Sequence, residues 1–143
     1  MHETGLTIAR VARQAGVGIQ TVRYYERRGL VEQPERDRGA YRRYGSAHVD
    51  RIRFIRRAQD LGFSLEEIQS LLELEDGTDR RSIRRIAGAH LEDTRRRIAD
   101  LRRIERVLAH LLHECETHQK APRCPIIAAI SGETELAAPA AGR

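Results

Sequence analysis

Apolar residues recur three and four positions apart at Ile8, Val11, Ala12 and Ala15, which puts them on one face of a helix. Thr7 stands before them as a good N-cap, because its hydroxyl oxygen can accept from a free N–H of the first turn. Gly16 suits the left-handed conformation that ends a helix. A second helix is predicted at once over residues 19–28, ended by Gly29. It is polar and basic, with Gln20, Thr21, Arg23, Tyr24, Tyr25, Arg27 and Arg28 along it. Two short helices joined by a turn containing glycine, the second of them basic, predict a helix-turn-helix.

The next stretch, EQPERDRGAYRRYG, holds Pro34, Gly39 and Gly45, which exclude a long helix. Tyr41 and Tyr44 flank Arg42 and Arg43, so a short basic hairpin or extended loop, a wing, fits here. A helix pair follows. Ser46 is placed to cap its first member, and Val49, Ile52, Phe54, Ile55 and Ala58 supply apolar contacts. Gly62 breaks that helix, and SLEE at residues 64–67 is a capping box that opens the second. Ile68, Leu71 and Leu72 would bury the second helix against the first.

From about residue 79 to residue 113 there is no proline and one glycine, Gly88. Ala87, Leu91, Thr94, Ile98, Leu101, Ile104, Leu108 and Leu111 form a coiled-coil stripe with one slipped step. Nothing else in the chain is long enough to cover that stripe. The simplest cover is the same helix from a second copy, which predicts a homodimer; the alternative is a helix folded back on its own domain. The fold class expected is all-α dominated, with a winged helix-turn-helix head and a long antiparallel coiled-coil helix. The expected layout is a head over residues 1–75, a dimerisation helix over 76–114, a loop and short helix over 115–131, and a disordered tail over 132–143.

Charge sharpens this outline. The 143 residues carry a net charge of +5, and 33% of them are charged against 40% hydrophobic, a balance that suits exposed helices. Residues 1–58 hold 13 Arg and 6 acidic residues, a balance of +7, while the rest of the chain is at −2. A basic head is the electrostatic footprint of a polyanion partner, although charge alone also fits a solvated basic surface. No stretch approaches the ~20 apolar residues of a membrane span, and no secretory signal core opens the chain, so a cytoplasmic location is expected. Of the two cysteines, Cys115 and Cys124, the second precedes Pro125, a residue suited to the first position of a helix. Cys124 is therefore at or near an N-cap, where the helix dipole favours thiolate. A close thiol pair in a reducing compartment is more often a metal or redox site than a structural disulfide.

The segments TIARVARQAGVGIQTVRYYERRGLV, RGAYRRYG, FIRRAQDLGFSLEEIQSLL, the long helix and a terminal C…CPII together resemble the MerR family of transcription regulators, over about residues 5–131. LLELEDGT and the eight residues between the cysteines are most similar to the mercury-responsive branch; the copper-responsive branch usually has one residue fewer in that loop. The resemblance implies a winged-helix head on double-stranded operator DNA, an antiparallel dimer and a C-terminal effector site shared between subunits. It also implies a mechanism. Without effector the dimer represses at an over-long promoter spacer; with effector it bends and untwists the DNA so that RNA polymerase engages both promoter elements.

A helix entering the major groove needs short polar side chains at its start and cations along its flank. Gln20, Thr21 and Arg23 would reach base edges or nearby phosphates. Tyr24 and Tyr25 offer hydroxyls and flat rings to the backbone, though one of these adjacent residues must pack under the helix. Thr7, Arg38, Tyr41, Arg42, Arg43 and Arg56 complete the expected DNA contacts. Cys115 and Cys124 fall on the family's ligand positions, and two thiolates select soft ions. The mercury branch places a third cysteine after DGT, where this chain has Arg80. Three outcomes stay open: mercuric ion held by two thiolates; a monovalent Cu(I), Ag(I) or Au(I), whose anionic complex Arg80 would offset; or a zinc-like site completed by Asp79, His113 or His118. A non-metal effector, an enzyme with zinc held by His110, His113, Cys115 and His118, and a plain coiled-coil adaptor are the competing classes. The chain offers no pocket-forming sheet or general base for the enzyme.

Overall fold

A computed structural model describes residues 5–34 and 43–136. It contains six helices among the described residues: α1 (Ile8–Ala15), α2 (Ile19–Arg27), α3 (Ser46–Asp60), α4 (Leu65–Glu73), α5 (Arg80–Thr117) and α6 (Pro125–Ile130). The chain divides into two compact units, Met1–Ile86 and Ala87–Arg143.

The first unit is a four-helix head whose termini obey the local chemistry. Thr7 Oγ1 accepts from the Arg10 N–H, and Gly16 ends α1 at φ 72°. Gly29 ends the turn after α2 in the same left-handed region, at φ 73°. The capping box at α4 is complete: the Glu67 N–H donates to Ser64 Oγ at 3.1 Å and the Ser64 N–H to Glu67 Oε1 at 2.9 Å. Ser46 is not the cap of α3. Gly45 holds that place, its N–H donating to His48 Nδ1 at 3.0 Å, and Ser46 is the first helical residue. Before α1 and α3, Leu6 and Tyr44 form an antiparallel bridge through two backbone bonds of 2.7 and 2.8 Å.

One core gathers Val11, Ala12 and Ala15 of α1, Val22 and Tyr25 of α2, Leu30, Val31 and Tyr44, then Val49, Ile52, Ile55 and Ala58 of α3 and Ile68 and Leu72 of α4. Phe54 departs from expectation: it points outward beside Leu61, and Leu71 is half-buried. Ile52 is fully enclosed, so Ile52→Ala is expected to cost about 2–5 kcal/mol through the cavity it leaves. Phe54→Ala is expected to cost less than Ile52→Ala, because Phe54 keeps 38% of its surface in solvent. Urea unfolding of the two variants checks the contrast.

The long helix extends past its expected end, so Cys115 lies inside α5 rather than after it. Asp79 caps its start: Oδ1 accepts from the Ser82 N–H at 3.0 Å and Oδ2 from the Ser82 hydroxyl at 2.7 Å. These bonds hold the Asp79 carboxyl below the usual range. No described residue of α5 is buried. Leu91, Ile98, Leu101, Ile104 and Leu108 are all exposed, and Leu101 is 64% open to solvent. At the far end the stripe turns: Leu111 faces a 280 Å³ cavity that Pro125, Ala128 and Leu136 also line, and Leu112 takes the exposed place. Residues 132–136, expected to be disordered, are engaged by the Arg123–Glu133 ion pair at 2.6 Å and by Leu136 in that cavity. Residues 137–143 lie outside the described residues.

Candidate functional site: a nucleic-acid interface and a thiol pair

Helix α2 sorts its residues by period. Val22, Tyr25 and Glu26 turn inward, while Gln20, Arg23, Tyr24 and Arg27 turn out and Thr21 is half-buried. The outward set is polar and cationic, and Arg27 lies 5.9 Å from the Tyr24 ring centroid, which orients both. Arg28 is drawn aside by Glu66 at 3.1 Å.

Tyr25 is the clearest correction among the expected DNA contacts. Its side chain is 1% exposed, and its hydroxyl donates to Gln59 Oε1 at 2.5 Å, so it fastens α2 to α3 instead of facing DNA. Burial pushes the Tyr25 phenol up, against the opposing pull of the nearby Arg56 guanidinium. Arg56 remains half exposed but is paired with Asp60 at 3.5 Å. Thr7 is half-buried, and its hydroxyl oxygen is committed to capping. Arg43 is exposed, its Nη1 donating to the Gly5 carbonyl at 3.1 Å. Arg38, Tyr41 and Arg42 lie outside the described residues.

Other arginines of the head hold the fold together. Arg53 Nη2 donates to the Gln14 carbonyl at 2.7 Å, and Arg51 Nε donates to the Leu30 carbonyl at 3.1 Å. The basic balance of the head is therefore partly structural. Sequence reasoning also passed over Glu26, an acid inside a basic helix; its sequence signal is that one mismatch of sign.

In the second unit the two sulfurs stand 3.8 Å apart. Cys115 comes from the last turn of α5 and Cys124 is the N-cap of α6, with Pro125 opening that helix. A turn brings them together: the His118 N–H donates to the Glu114 carbonyl and the Ala121 N–H to the His118 carbonyl. Both cysteines are free and half-buried. The Ile127 and Ile126 N–H groups at the start of α6 hold the Cys124 thiol below its ordinary range, although no full cap hydrogen bond forms. The Cys115 thiol is pushed up by its hydrogen bond to Cys124. The pair is thus built to carry one thiolate more readily than two, and a bound cation would draw off the second proton.

Among the described residues no group of three His, Cys, Asp or Glu side chains gathers to hold a metal. Asp79 is occupied in capping α5, and His118 Nδ1 sits 3.0 Å from the Thr117 hydroxyl and 3.4 Å from Glu114. Arg80 is exposed at the opposite end of α5 from Cys115.

Residues 6–75 match the MerR HTH family of regulatory proteins, and residues 49–111 match the MerR DNA-binding family. The chain is 46% identical to a mercuric resistance operon regulatory protein of Pseudomonas fluorescens, over 92% of each chain. A solved MerR regulator of Bacillus megaterium, in complex with mercury(II), is 38% identical and superposes with a TM-score of 0.66, covering 88% of this chain and 99% of that one. A lead(II)-bound regulator of Ralstonia metallidurans is 31% identical with a TM-score of 0.75, covering 87% and 98%.

Proposed function

The chain belongs to the MerR family of helix-turn-helix regulatory proteins, and from that premise we propose that it senses mercuric ion through Cys115 and Cys124. It is a DNA-binding transcription regulator and not an enzyme. The observation that carries the metal reading is the thiol pair, two sulfurs 3.8 Å apart at the junction of α5 and α6. The donor set fits a soft ion: thiolates favour it over hard cations, and mercuric ion accepts linear coordination by two of them. A reducing cytoplasm would keep both thiols free.

The remaining parts follow from the same premise. The exposed face of α5 pairs antiparallel with a second copy, so two heads meet the two halves of one operator. Gln20, Thr21, Arg23 and Tyr24 approach the major groove, and Arg38, Tyr41, Arg42 and Arg43 approach the flanking backbone. Thr7 and Arg56 stay as backbone contacts at the margin of that surface. Metal-dependent change in the dimer would alter DNA bending and twist, and so the fit of RNA polymerase to the promoter.

Arg80 favours a second reading of the ion. In an antiparallel pair with its midpoint near residue 97, position 80 of one chain faces position 115 of the other. A guanidinium there offsets the negative charge that two thiolates leave on Cu(I), Ag(I) or Au(I), whereas a two-thiolate mercuric complex is neutral. Titration of the reduced protein with each ion, read out by transcription from its promoter, separates the two readings. A soft-metal response absent for every ion would indicate a non-metal effector.

The DNA surface has its own test. Arg23→Ala is expected to lose about 1–3 kcal/mol of specific binding if the guanidinium reaches a base edge. Gel-shift affinity unchanged from wild type would remove Arg23 from the interface.

A further inference from the structure

Glu26 is the only acidic residue of α2. A carboxylate on the outer face of that helix would oppose phosphates. The fold instead turns it inward, where it is buried beside Tyr44. The Tyr44 hydroxyl donates to Glu26 Oε1 at 2.6 Å, a short bond enclosed by the core. Tyr44 is also the backbone partner of Leu6 in the bridge before α1. Its ring meets His48 edge-on, with centroids 5.3 Å apart, and His48 in turn holds the Gly45 N–H at the start of α3. Arg43, next in the chain, is exposed beside this junction. One side chain therefore ties α2 to the bridge that carries Arg43.

We propose that Tyr44, through its hydrogen bond to Glu26, is a positioning residue that holds the outward face of α2 in register with Arg43, so that both grip one duplex at a set spacing. A short buried hydrogen bond tolerates little change in length or angle. Without it the Tyr44 ring can still fill the core and its backbone can still pair with Leu6. The fold therefore persists, while α2 gains freedom to roll about its axis relative to the bridge. Base-edge contacts from α2 and a phosphate contact from Arg43 then compete for alignment. This inference rests on the reading of α2 and Arg43 as DNA contacts.

The test uses the full-length protein and a duplex selected from random sequence by the wild type, with affinity measured across a range of salt. Tyr44→Phe is expected to remain folded by circular dichroism and to bind about tenfold more weakly. Its slope of log affinity against log salt should shrink by about one, the loss of one phosphate contact. Arg43→Ala should weaken the wild type but add little to Tyr44→Phe. Glu26→Leu, which removes the acceptor and keeps the volume, should give the same reduced slope and the same lack of additivity. A purely structural role predicts otherwise: affinity would fall with the folded fraction, the slope would stay at the wild-type value, and the Arg43→Ala cost would add in full. That outcome in both Tyr44→Phe and Glu26→Leu overturns the proposal. If Arg43→Ala is silent in the wild type, the reading of Arg43 as a DNA contact fails, and the proposed register between α2 and Arg43 falls with it.

Discussion

Leu101→Arg is expected to turn the dimer into monomers and to collapse operator binding. Leu101 is 64% exposed and lies near the middle of the proposed antiparallel seam, flanked on α5 by Ile98 and Ile104, which are also open to solvent. In the dimer the two copies of residue 101 approach the two-fold axis. Arginine there places two like charges in apolar surroundings, and each uncompensated buried charge costs about 3–5 kcal/mol. The monomer loses little, because the wild-type side chain is already exposed in a single chain. A lone head then grips only a half-site, and the salt slope of DNA binding should halve with its phosphate contacts. Sedimentation showing an intact dimer in this variant would mean that α5 pairs through another face.

The second large effect is expected at the thiols. Cys115→Ser or Cys124→Ser should abolish induction by soft metal while operator binding stays intact, because the sulfurs lie in a different compact unit from the head. Loss of one of only two ligands should exceed the roughly 10–100-fold cost of disturbing a residue that merely supports a ligand. Arg80→Cys should strengthen the response to mercuric ion by restoring a third thiolate. It should weaken any response to Cu(I) or Au(I), since it adds negative charge and removes a cation beside an already anionic complex. Transcription measured against each ion distinguishes the outcomes. A wild type as responsive to mercury as Arg80→Cys would exclude position 80 as a ligand position. Induction that survives both serine variants would end the metal-sensing account and leave the DNA-binding head untouched.

Much of the head was legible because its cues are local. Thr7, Gly16 and the Ser64–Glu67 box act within a single turn of helix, and the structure uses each of them. The period of Val11, Ala12 and Ala15 likewise names their buried face. Local rules failed where two neighbouring solutions had equal merit. Gly45 and Ser46 both suit the start of α3, and the His48 ring, three residues on, selects Gly45. Phe54 reads as core by its chemistry, but Ile52 and Ile55 already fill the inward positions of α3 on either side of it. Leu111 lines a cavity with Pro125, Ala128 and Leu136, which come later in the chain, and Leu112 is the exposed residue there.

The candidate site divides in the same way. Sequence alone determined the candidate residues: a basic second helix with Arg23 and Tyr24, an apolar stripe with no cover, a cysteine at a helix cap, and arginine where a third thiolate was expected. Those features depend on residue type and on spacing within a few turns. Tertiary structure alone decided that Tyr24 faces outward while Tyr25 is locked to Gln59, and that Glu26 is turned inward onto Tyr44. It also brought the two sulfurs to 3.8 Å. Each of these pairings joins residues from different elements, 9 to 34 positions apart in the chain. Their distances depend on how whole helices and turns pack, and that packing is a sum over the entire core that no short window of sequence contains.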